Sequence, residues 1–361
     1  MKVFKTIAKI VGFILLAAVI LAVGVFGYLT VTEYKPADTE PLTVEGKSGN
    51  EVAPGRTYTL LSWNIGYGAL GDNADFFMDG GSSVMSSDEA RVRENITAIR
   101  SAVQDLSPDF VFLQEADTDS RRSYHIDETV LIRAAFPDAQ SAFAYNFKTA
   151  FVPYPVPPIG KVGSGLLTIS AWAVKEASRV KLPSPFTWPV STANLKRCLL
   201  VCRLPIANSG KELVLINLHL EAYDDGEGKI AQTKLLKQVL ETEAAKGNFV
   251  IAGGDFNQTF SNVDVSKYPQ QEGLWACGRI DVGEFDKSWQ FLMSNETPSC
   301  RSLDKPYAGA DHTNFQYYVI DGFIVSENID VQTFEVLDKG FVNTDHNPTL
   351  LNFTLKEDAV P

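Results

Sequence analysis

The chain has 361 residues, of which 45% are hydrophobic, and a formal net charge of −12. This length is enough for one large globular domain or two small ones. A strongly acidic surface repels polyanions, so the charge argues against a processive nucleic-acid-binding protein. It does not exclude an enzyme that shields the phosphate of its substrate with a metal ion.

The first predicted element is a membrane-spanning helix over residues 10–31, after a cytoplasmic segment, residues 1–9. No charged residue interrupts the run from Ile10 to Thr30. At about 1.5 Å per residue, such a helix crosses the hydrocarbon core of a bilayer, about 30 Å thick. Lysines precede the run and mostly acidic residues follow it, so the positive-inside rule places the rest of the chain outside the cytoplasmic membrane. A cleaved signal peptide is the alternative, but VFGYLTVTEY offers no good cleavage site.

Residues 32–56 mix proline, glycine and acids without apolar periodicity, which predicts a linker: a tether or an irregular lead-in. A regular pattern begins at Thr57 and predicts a catalytic domain over residues 57–356, followed by a tail, residues 357–361. One helix is predicted at DEARVRENITAIRSAVQDL and another at roughly Lys229–Ala245, capped by Gly247. The predicted strands are YTLLSWNI, DFVFLQEA, SGLLTISAWAV, RCLLVCRL, ELVLINLHLE, NFVIAGGDF, YYVIDGFIVS and PTLLNFTL.

Strands outnumber helices, and the helices lie between strands, which predicts an α/β fold of stacked sheets flanked by helices. The proline-rich, aromatic run at residues 145–160 is predicted to be a surface loop, either a rigid connection or a substrate-facing rim. The four cysteines form no C-x-x-C pair, so a zinc ribbon is not expected. A disulfide between Cys277 and Cys300 stays open.

Several predicted strands end in a polar residue at the point where the apolar run stops. The stretch GGDFNQ, for example, is either a tight turn after a buried strand or a strand end that directs two oxygen-bearing side chains into one site. Six endings of this kind predict convergence on a single site. Their residues are Asn64, Glu115, His219, Asp255, Asn257, Asp321, Asp345 and His346.

These residue types suit metal-assisted hydrolysis of a phosphate ester. Mg²⁺, or Mn²⁺ in its place, prefers oxygen ligands, which Asn64, Glu115 and Asp345 supply. An aspartate near a metal-polarised phosphate can orient or deprotonate a water molecule. A histidine hydrogen-bonded to an aspartate stays cationic more easily and can stabilise an anionic transition state.

In this order, the motifs SWN, QE, NLHLE, GGDFN, ID and TDHNP resemble the endonuclease/exonuclease/phosphatase superfamily. The superfamily includes pancreatic-type deoxyribonuclease, exonuclease III-type repair nucleases, neutral sphingomyelinases and inositol-polyphosphate 5-phosphatases. The resemblance covers about Thr57 to Leu355. It implies a four-layered α/β sandwich, in which two packed mixed β-sheets are flanked by helices, with the site at one end.

The resemblance also implies roles for the metal side of the site. By motif, Asn64 and Glu115 resemble the residues that hold Mg²⁺, and Asp345 resembles a metal-side or water-side carboxylate. One position departs from the pattern, because exonuclease III-type members usually carry an acidic residue where this chain has Gly66.

On the catalytic side, Asp255 resembles the residue that aligns or activates the attacking water, and Asn257 the phosphate-oxygen donor beside it. His346 resembles the histidine that contacts phosphate, with Asp321 as its orienting partner. His219 resembles the second histidine of deoxyribonucleases and sphingomyelinases, near the leaving group. The two glycines before Asp255 are expected to let the strand end approach the site closely.

Three further residues are weak candidates for substrate contacts: Asn146, Lys148 and Arg197. The sequence thus favours a membrane-anchored, divalent-metal-dependent phosphoesterase outside the cytoplasmic membrane, acting on a phospholipid or a small phosphodiester. An extracellular endonuclease or exonuclease is one alternative, and a non-catalytic binding module on the same fold is another. The expected partners are the bilayer and a phosphate-ester substrate, with nucleic acid disfavoured by the negative charge.

Overall fold

Two seven-stranded sheets form the centre of the fold in the computed structural model, which describes residues 2–47, 49–224 and 226–357. The helices are α1 (Lys2–Thr32), α2 (Glu89–Leu106), α3 (Glu128–Arg133) and α4 (Glu227–Ala245). The strands are β1 (Thr39–Leu42), β2 (Glu45–Gly46), β3 (Thr57–Asn64), β4 (Phe110–Asp117), β5 (Gln140–Val152), β6 (Gly160–Ser170), β7 (Glu176–Lys181), β8 (Cys198–Pro205), β9 (Glu212–His219), β10 (Phe249–Asp255), β11 (Gln258–Phe260), β12 (Gly278–Ile280), β13 (Trp289–Leu292), β14 (Cys300–Arg301), β15 (Tyr317–Tyr318), β16 (Asp321–Ser326), β17 (Ile329–Val336) and β18 (Thr349–Leu355).

The two sheets are named here after one central strand each. The β10 sheet has the order β1-β7-β8-β9-β10-β16-β13, and the β3 sheet has the order β17-β18-β3-β4-β6-β5-β2. Both sheets are mixed, since β9 and β10 run parallel, as do β3 and β4, while their other neighbours are antiparallel. Parallel neighbours need a crossover connection, and α4 and α2 supply the two crossovers.

Apolar side chains fill three layers. Between the sheets, Phe112 of the β3 sheet and Ile251 of the β10 sheet belong to one fully buried cluster. On the outer face of the β3 sheet, Ile99 of α2 packs in a second cluster, and Leu236 of α4 packs in a third on the β10 sheet. The result is helix, sheet, sheet, helix, so the predicted four-layered α/β sandwich is confirmed.

A buried polar bridge joins the two sheets. Gln114 of β4 donates through Nε2 to Oδ1 of Asn217 in β9 at 2.7 Å. The Nδ2 of Asn217 donates back to the backbone oxygens of Leu113 and Leu167 at 3.2 and 3.0 Å. Both amide side chains are fully buried, and such a network fixes the position of one sheet on the other.

Three sequence predictions are wrong in detail. The run at residues 145–160 is not a loop throughout, because β5 pairs with β6 as far as Val152. The strand predicted for SGLLTISAWAV ends at Ser170, whose hydroxyl accepts from the Trp172 N–H at 3.0 Å and turns the chain. YYVIDGFIVS is broken before Asp321, where the Ser299 hydroxyl accepts from two successive backbone N–H groups.

The segment predicted to be a tether or an irregular lead-in carries two short edge strands. β1 pairs with β7 and β2 pairs with β5, so this segment borders both sheets. Before it, α1 contains a 30-residue stretch that is long and apolar enough to cross a membrane. All four cysteines are free thiols, including Cys277 and Cys300.

Candidate active site

The polar strand ends meet at one edge of the two sheets. In the β10 sheet, His219, Asp255 and Asp321 are direct neighbours across three strands. In the β3 sheet, Asn64 ends β3, and Glu115 lies at a register shift in β4 with a φ of 55°. Such a bulge turns a side chain out of the regular alternation.

Asp255 lies at the centre of this arrangement. Its Oδ1 accepts from the Asn257 backbone N–H at 2.8 Å, and its Oδ2 accepts from Asn64 Nδ2 at 3.0 Å. The Nε2 atoms of His219 and His346 lie 3.5 and 3.7 Å from the same Oδ2. GGDFNQ therefore makes a turn of the Asx type and also brings Asp255 between two histidines.

The two glycines before Asp255 serve the strand packing. A Cβ on Gly253 would lie 2.2 Å from the Phe323 ring, and one on Gly254 would lie 2.0 Å from the Leu218 carbonyl oxygen. Gly254 also has a φ of 142°, which side chains rarely adopt. The glycines are needed because neighbouring strands lie close, and not for the close approach to the site that the sequence suggested.

The two histidines differ in charge. Burial lowers the pKa of His346, but its Nδ1 lies 2.9 Å from Asp321 Oδ2, and this carboxylate outweighs burial and raises the pKa well above its usual value. Burial, together with the nearby Arg197 and His346, lowers the pKa of His219 well below its usual value. At neutral pH the site thus places one imidazolium and one neutral imidazole on either side of Asp255.

On the other side of Asn64 lie two carboxylates, those of Asp345, which is buried, and Glu115, which is partly exposed. Burial raises the pKa of Glu115 and of Asp345. Both carboxylates line the same cleft. Asn64 donates to Glu115 Oε1 at 3.1 Å, and its own Oδ1 accepts from the Gly66 N–H at 3.0 Å. The hydroxyl of Tyr67 is buried here without a hydrogen-bond partner among the described residues.

This chemistry fits a divalent cation. Acids buried together are costly when charged and uncompensated, and a hard cation with oxygen ligands removes that cost. The fit extends to Gly66, which has a φ of 51° and no space for a side chain, because a Cβ there would lie 3.0 Å from Asp345 Oδ1. The acidic residue that exonuclease III-type members carry at this place would not fit.

The three weak candidates for substrate contacts differ in whether they line the cleft. Asn146 and Arg197 line the cleft, and both are buried. Arg197 donates to Glu221 Oε2 at 3.3 Å and to the His219 carbonyl at 3.1 Å. Lys148 is exposed and lies over the Tyr145 ring at 4.3 Å, outside the residues that line the cleft.

Sequence reasoning missed several groups in the cleft. Tyr223 donates through its hydroxyl to Asp79 Oδ1 at 2.9 Å, and burial raises the pKa of Asp79 to about 7. The Arg122 guanidinium lies 3.6 Å over the Tyr67 ring. Only Tyr67 has a local signal, since it follows the SWNIG motif directly; the others lie outside every motif.

Most of the polar groups described above line one cleft of about 680 Å³. A volume of this size accommodates a small organic ligand. Of the eight strand-end residues, the cleft is lined by Glu115, His219, Asp255, Asn257, Asp345 and His346. Asn64 and Asp321 lie behind them, each hydrogen-bonded to a residue that does line it.

The layered fold and the polar strand-end groups in this cleft are features of a phosphoesterase or nuclease, and the sequence comparison agrees. Residues 61–346 match the Endonuclease/Exonuclease/phosphatase family. The chain belongs to this family. A comparison with curated proteins gives no significant match.

Solved structures of the same family share the fold. An endonuclease/exonuclease/phosphatase from Beutenbergia cavernae is 14% identical, with a TM-score of 0.53 over 84% of this chain and 76% of that one. One from Bacteroides vulgatus is 14% identical, with a TM-score of 0.53 over 83% of this chain and 100% of that one. ANGEL2, a 2′,3′-cyclic phosphatase bound to adenosine-2′,3′-vanadate, is 13% identical, with a TM-score of 0.55 over 87% of this chain and 99% of that one.

Proposed function

We propose that this protein is a membrane-anchored, divalent-metal-dependent phosphoesterase that hydrolyses a phosphodiester or phosphomonoester outside the cytoplasmic membrane. The observation that carries the proposal is the arrangement around Asp255, with a cationic and a neutral histidine beside it and the carboxylates of Glu115 and Asp345 beyond Asn64. The name of ANGEL2 describes a phosphatase for a cyclic phosphodiester, which supports the same class of reaction.

Each residue has a role that its contacts support. Asp255 positions a water molecule and takes its proton as the oxygen attacks phosphorus. His346, held in place by Asp321, donates to a phosphate oxygen as negative charge develops there. His219 lies on the far side of Asp255 and, being neutral, can hydrogen-bond the leaving oxygen. Asn257 lines the cleft and donates through Nδ2 to the Leu220 carbonyl oxygen at 2.8 Å, and its second amide hydrogen donates to another phosphate oxygen.

Glu115 and Asp345 would hold the divalent cation, with Asn64 beside them. Mg²⁺ or Mn²⁺ bound there would polarise the phosphate and neutralise part of its charge. The Tyr67 hydroxyl lines the same cleft and has no hydrogen-bond partner in the described part of the chain, so it is placed to bind a water molecule of this site. Because position 66 is a glycine, it adds no further carboxylate to these ligands.

The membrane location rests on α1. Its apolar stretch and the lysines before it favour a single span with the N-terminus in the cytoplasm. Protease added to intact cells should digest the domain that follows α1. Full protection of that domain in intact cells, with digestion after lysis, would overturn the orientation.

Metal-dependent hydrolysis is the direct test of the activity. The full chain in detergent micelles should hydrolyse bis(p-nitrophenyl) phosphate with Mg²⁺ or Mn²⁺, and excess chelator should abolish turnover reversibly. Calorimetric titration with Mn²⁺ should show weaker binding to Glu115→Gln, with an unchanged melting temperature in chelator. Undiminished turnover in excess chelator would contradict metal dependence.

A further inference from the structure

The wall of the cleft changes from polar to apolar between the catalytic residues and α1. Large apolar side chains line this part, from the last turns of α1, from residues 76–78, from the loop after β5 and from the segment before β8. Among them are Phe26, Leu29, Phe77, Tyr154, Phe186 and Val190. Leu29 is only 3% exposed, so the end of the membrane-spanning helix itself forms part of the wall.

Polar contacts fix α1 to this wall. Trp188 donates through Nε1 to the Thr30 hydroxyl at 3.0 Å. One residue beyond the helix end, Glu33 Oε1 accepts from Lys196 Nζ at 2.9 Å and from the Ser191 hydroxyl at 3.3 Å. The cleft therefore opens beside the point where α1 would leave the bilayer.

The mouth of the cleft carries apolar side chains that water would surround in a soluble protein. Tyr154 is 67% exposed and Val190 56%, and both line the cleft. Trp188, 62% exposed, lies beside them with its ring centroid 6.2 Å from that of Phe26. Clustered exposed apolar groups mark an interaction surface, and tryptophan and tyrosine are enriched where proteins meet the bilayer interface. Trp188 contacts both Phe26 and Thr30 of α1, so one bilayer can cover this part of the mouth and α1.

The charges of the cleft do not suit a nucleic-acid strand, whose affinity depends on lysine and arginine contacts to successive phosphates. Arg197 is paired with Glu221 at 3.3 Å, and Arg122 with Asp117 at 3.0 Å. Both of these arginines are thus already neutralised by an acid. Arg301, the third arginine among the described residues that line the cleft, is 1% exposed and donates to the backbone oxygens of Ser302 and Gly71.

We infer that the substrate is a membrane lipid with a phosphate ester. Its phosphate lies at Asp255 and His346, and its apolar chains lie along the wall towards α1 and the bilayer that α1 spans. This inference rests on the proposed function and adds the substrate class. For a lipid diester, the oxygen of one water binds phosphorus, one phosphorus–oxygen ester bond breaks, and the leaving oxygen takes a proton, which gives an alcohol and a phosphomonoester.

The test compares two substrates on the same full-length protein with Mg²⁺. One is bis(p-nitrophenyl) phosphate in solution. The other is a set of vesicles made of equal parts phosphatidylcholine, phosphatidylethanolamine, phosphatidylglycerol and sphingomyelin, into which the protein is reconstituted. Phosphorus-31 NMR follows loss of any lipid diester, and we expect at least one lipid signal to decay.

A charged side chain at the mouth of the cleft should change the ratio of the lipid hydrolysis rate to the hydrolysis rate of the soluble diester. Val190→Asp should lower lipid turnover relative to the soluble diester by at least about tenfold, since it removes an apolar contact with the bilayer. Val130→Asp is the matched control, because Val130 is also exposed but lies on α3, away from the cleft. The control should leave the ratio unchanged.

The outcomes separate the two proposals. Turnover of the soluble diester without loss of any lipid signal overturns the lipid inference and leaves the phosphoesterase proposal standing. Equal ratios in the two variants also overturn the lipid inference. Hydrolysis of neither substrate with metal present overturns the phosphoesterase proposal.

Discussion

Strands β9 and β10 begin and end in opposite chemical environments. Near their first residues, Arg203 pairs with Glu212 at 3.1 Å and with Glu243 at 2.7 Å, and Asn248 donates to Glu243 at 2.9 Å. Burial raises the pKa of Glu243, but the hydrogen bonds from Arg203, Lys246 and Asn248 outweigh it and lower the pKa to about 2. The carboxylates of Glu212 and Glu243 thus both pair with Arg203.

At their last residues the same strands hold like charges together. Burial and the neighbouring Asp321 raise the pKa of Asp255 to about 7. The buried Nδ1 of His219 has no hydrogen-bond partner in the described part of the chain. One end of the strands thus contributes stability, while the other end holds two acids close together and leaves His219 Nδ1 without a partner among the described residues. Loss of a carboxylate should therefore lower turnover without lowering stability at the last residues, and should lower stability without lowering turnover at the first residues.

The largest effect is expected for Asp255→Asn. Turnover should fall by about 10²–10⁴-fold, the usual contribution of a positioned acid–base group. The melting temperature in metal-free buffer should not fall, because the substitution removes a buried acid beside another acid. Hydrolysis rates measure the turnover, and thermal unfolding measures the melting temperature.

Asp264→Asn is the matched control for this prediction. Asp264 makes the same kind of turn, accepting from the Ser266 N–H at 2.9 Å, but it is exposed. Its substitution should leave turnover unchanged. Turnover like that of the wild type in Asp255→Asn would show that GGDFNQ is only a turn after a strand.

His346→Ala should lower turnover by roughly 10²–10³-fold, as expected for one donor to a developing negative charge. The loss should appear in kcat more than in KM, since the contact strengthens in the transition state. The double variant with Asp255→Asn should lose much less than the product of the single losses. Fully multiplicative losses would mean that the two residues act independently.

At the opposite end, Glu243→Gln should show the reverse pattern. Loss of its charged hydrogen bonds should lower the free energy of unfolding by about 1–3 kcal/mol, while turnover at 25 °C stays as in the wild type. Denaturant titration measures the stability, and Glu335→Gln, an exposed carboxylate on β17, is the control. A large loss of turnover in folded Glu243→Gln would contradict the separation of the two ends.

The smallest expected effect is the pH dependence of the stability difference between the wild type and Glu243→Gln. Because the pKa of Glu243 is lowered on folding, its contribution is present above the ordinary pKa of a glutamate and is lost as the pH falls towards about 2. The stability gap between the wild type and Glu243→Gln should therefore narrow between about pH 5 and pH 2. A gap that stays constant over this range would exclude the carboxylate as its source.

The residues that could be predicted from sequence are those whose signal is local. Asp255 and His346 follow recognisable strand motifs, and the helix α2 has a regular apolar stripe with Asp88 at its N-cap. Asp79 and Tyr223 could not be predicted, since they are 144 residues apart and no motif includes either. The edge strands β1 and β2 also carry no local signal, because their pairing depends on β7 and β5.

The contacts that complete the site each join one sheet to the other. Asn64 from the β3 sheet donates to Asp255 in the β10 sheet, His346 before β18 contacts Asp321 in β16, and the Gln114–Asn217 bridge lies beside them. A refolding intermediate in which only one sheet has formed would therefore hold half a site. Recovery of enzymatic activity after dilution from denaturant should coincide with the docking of the sheets and lag behind the recovery of β-structure.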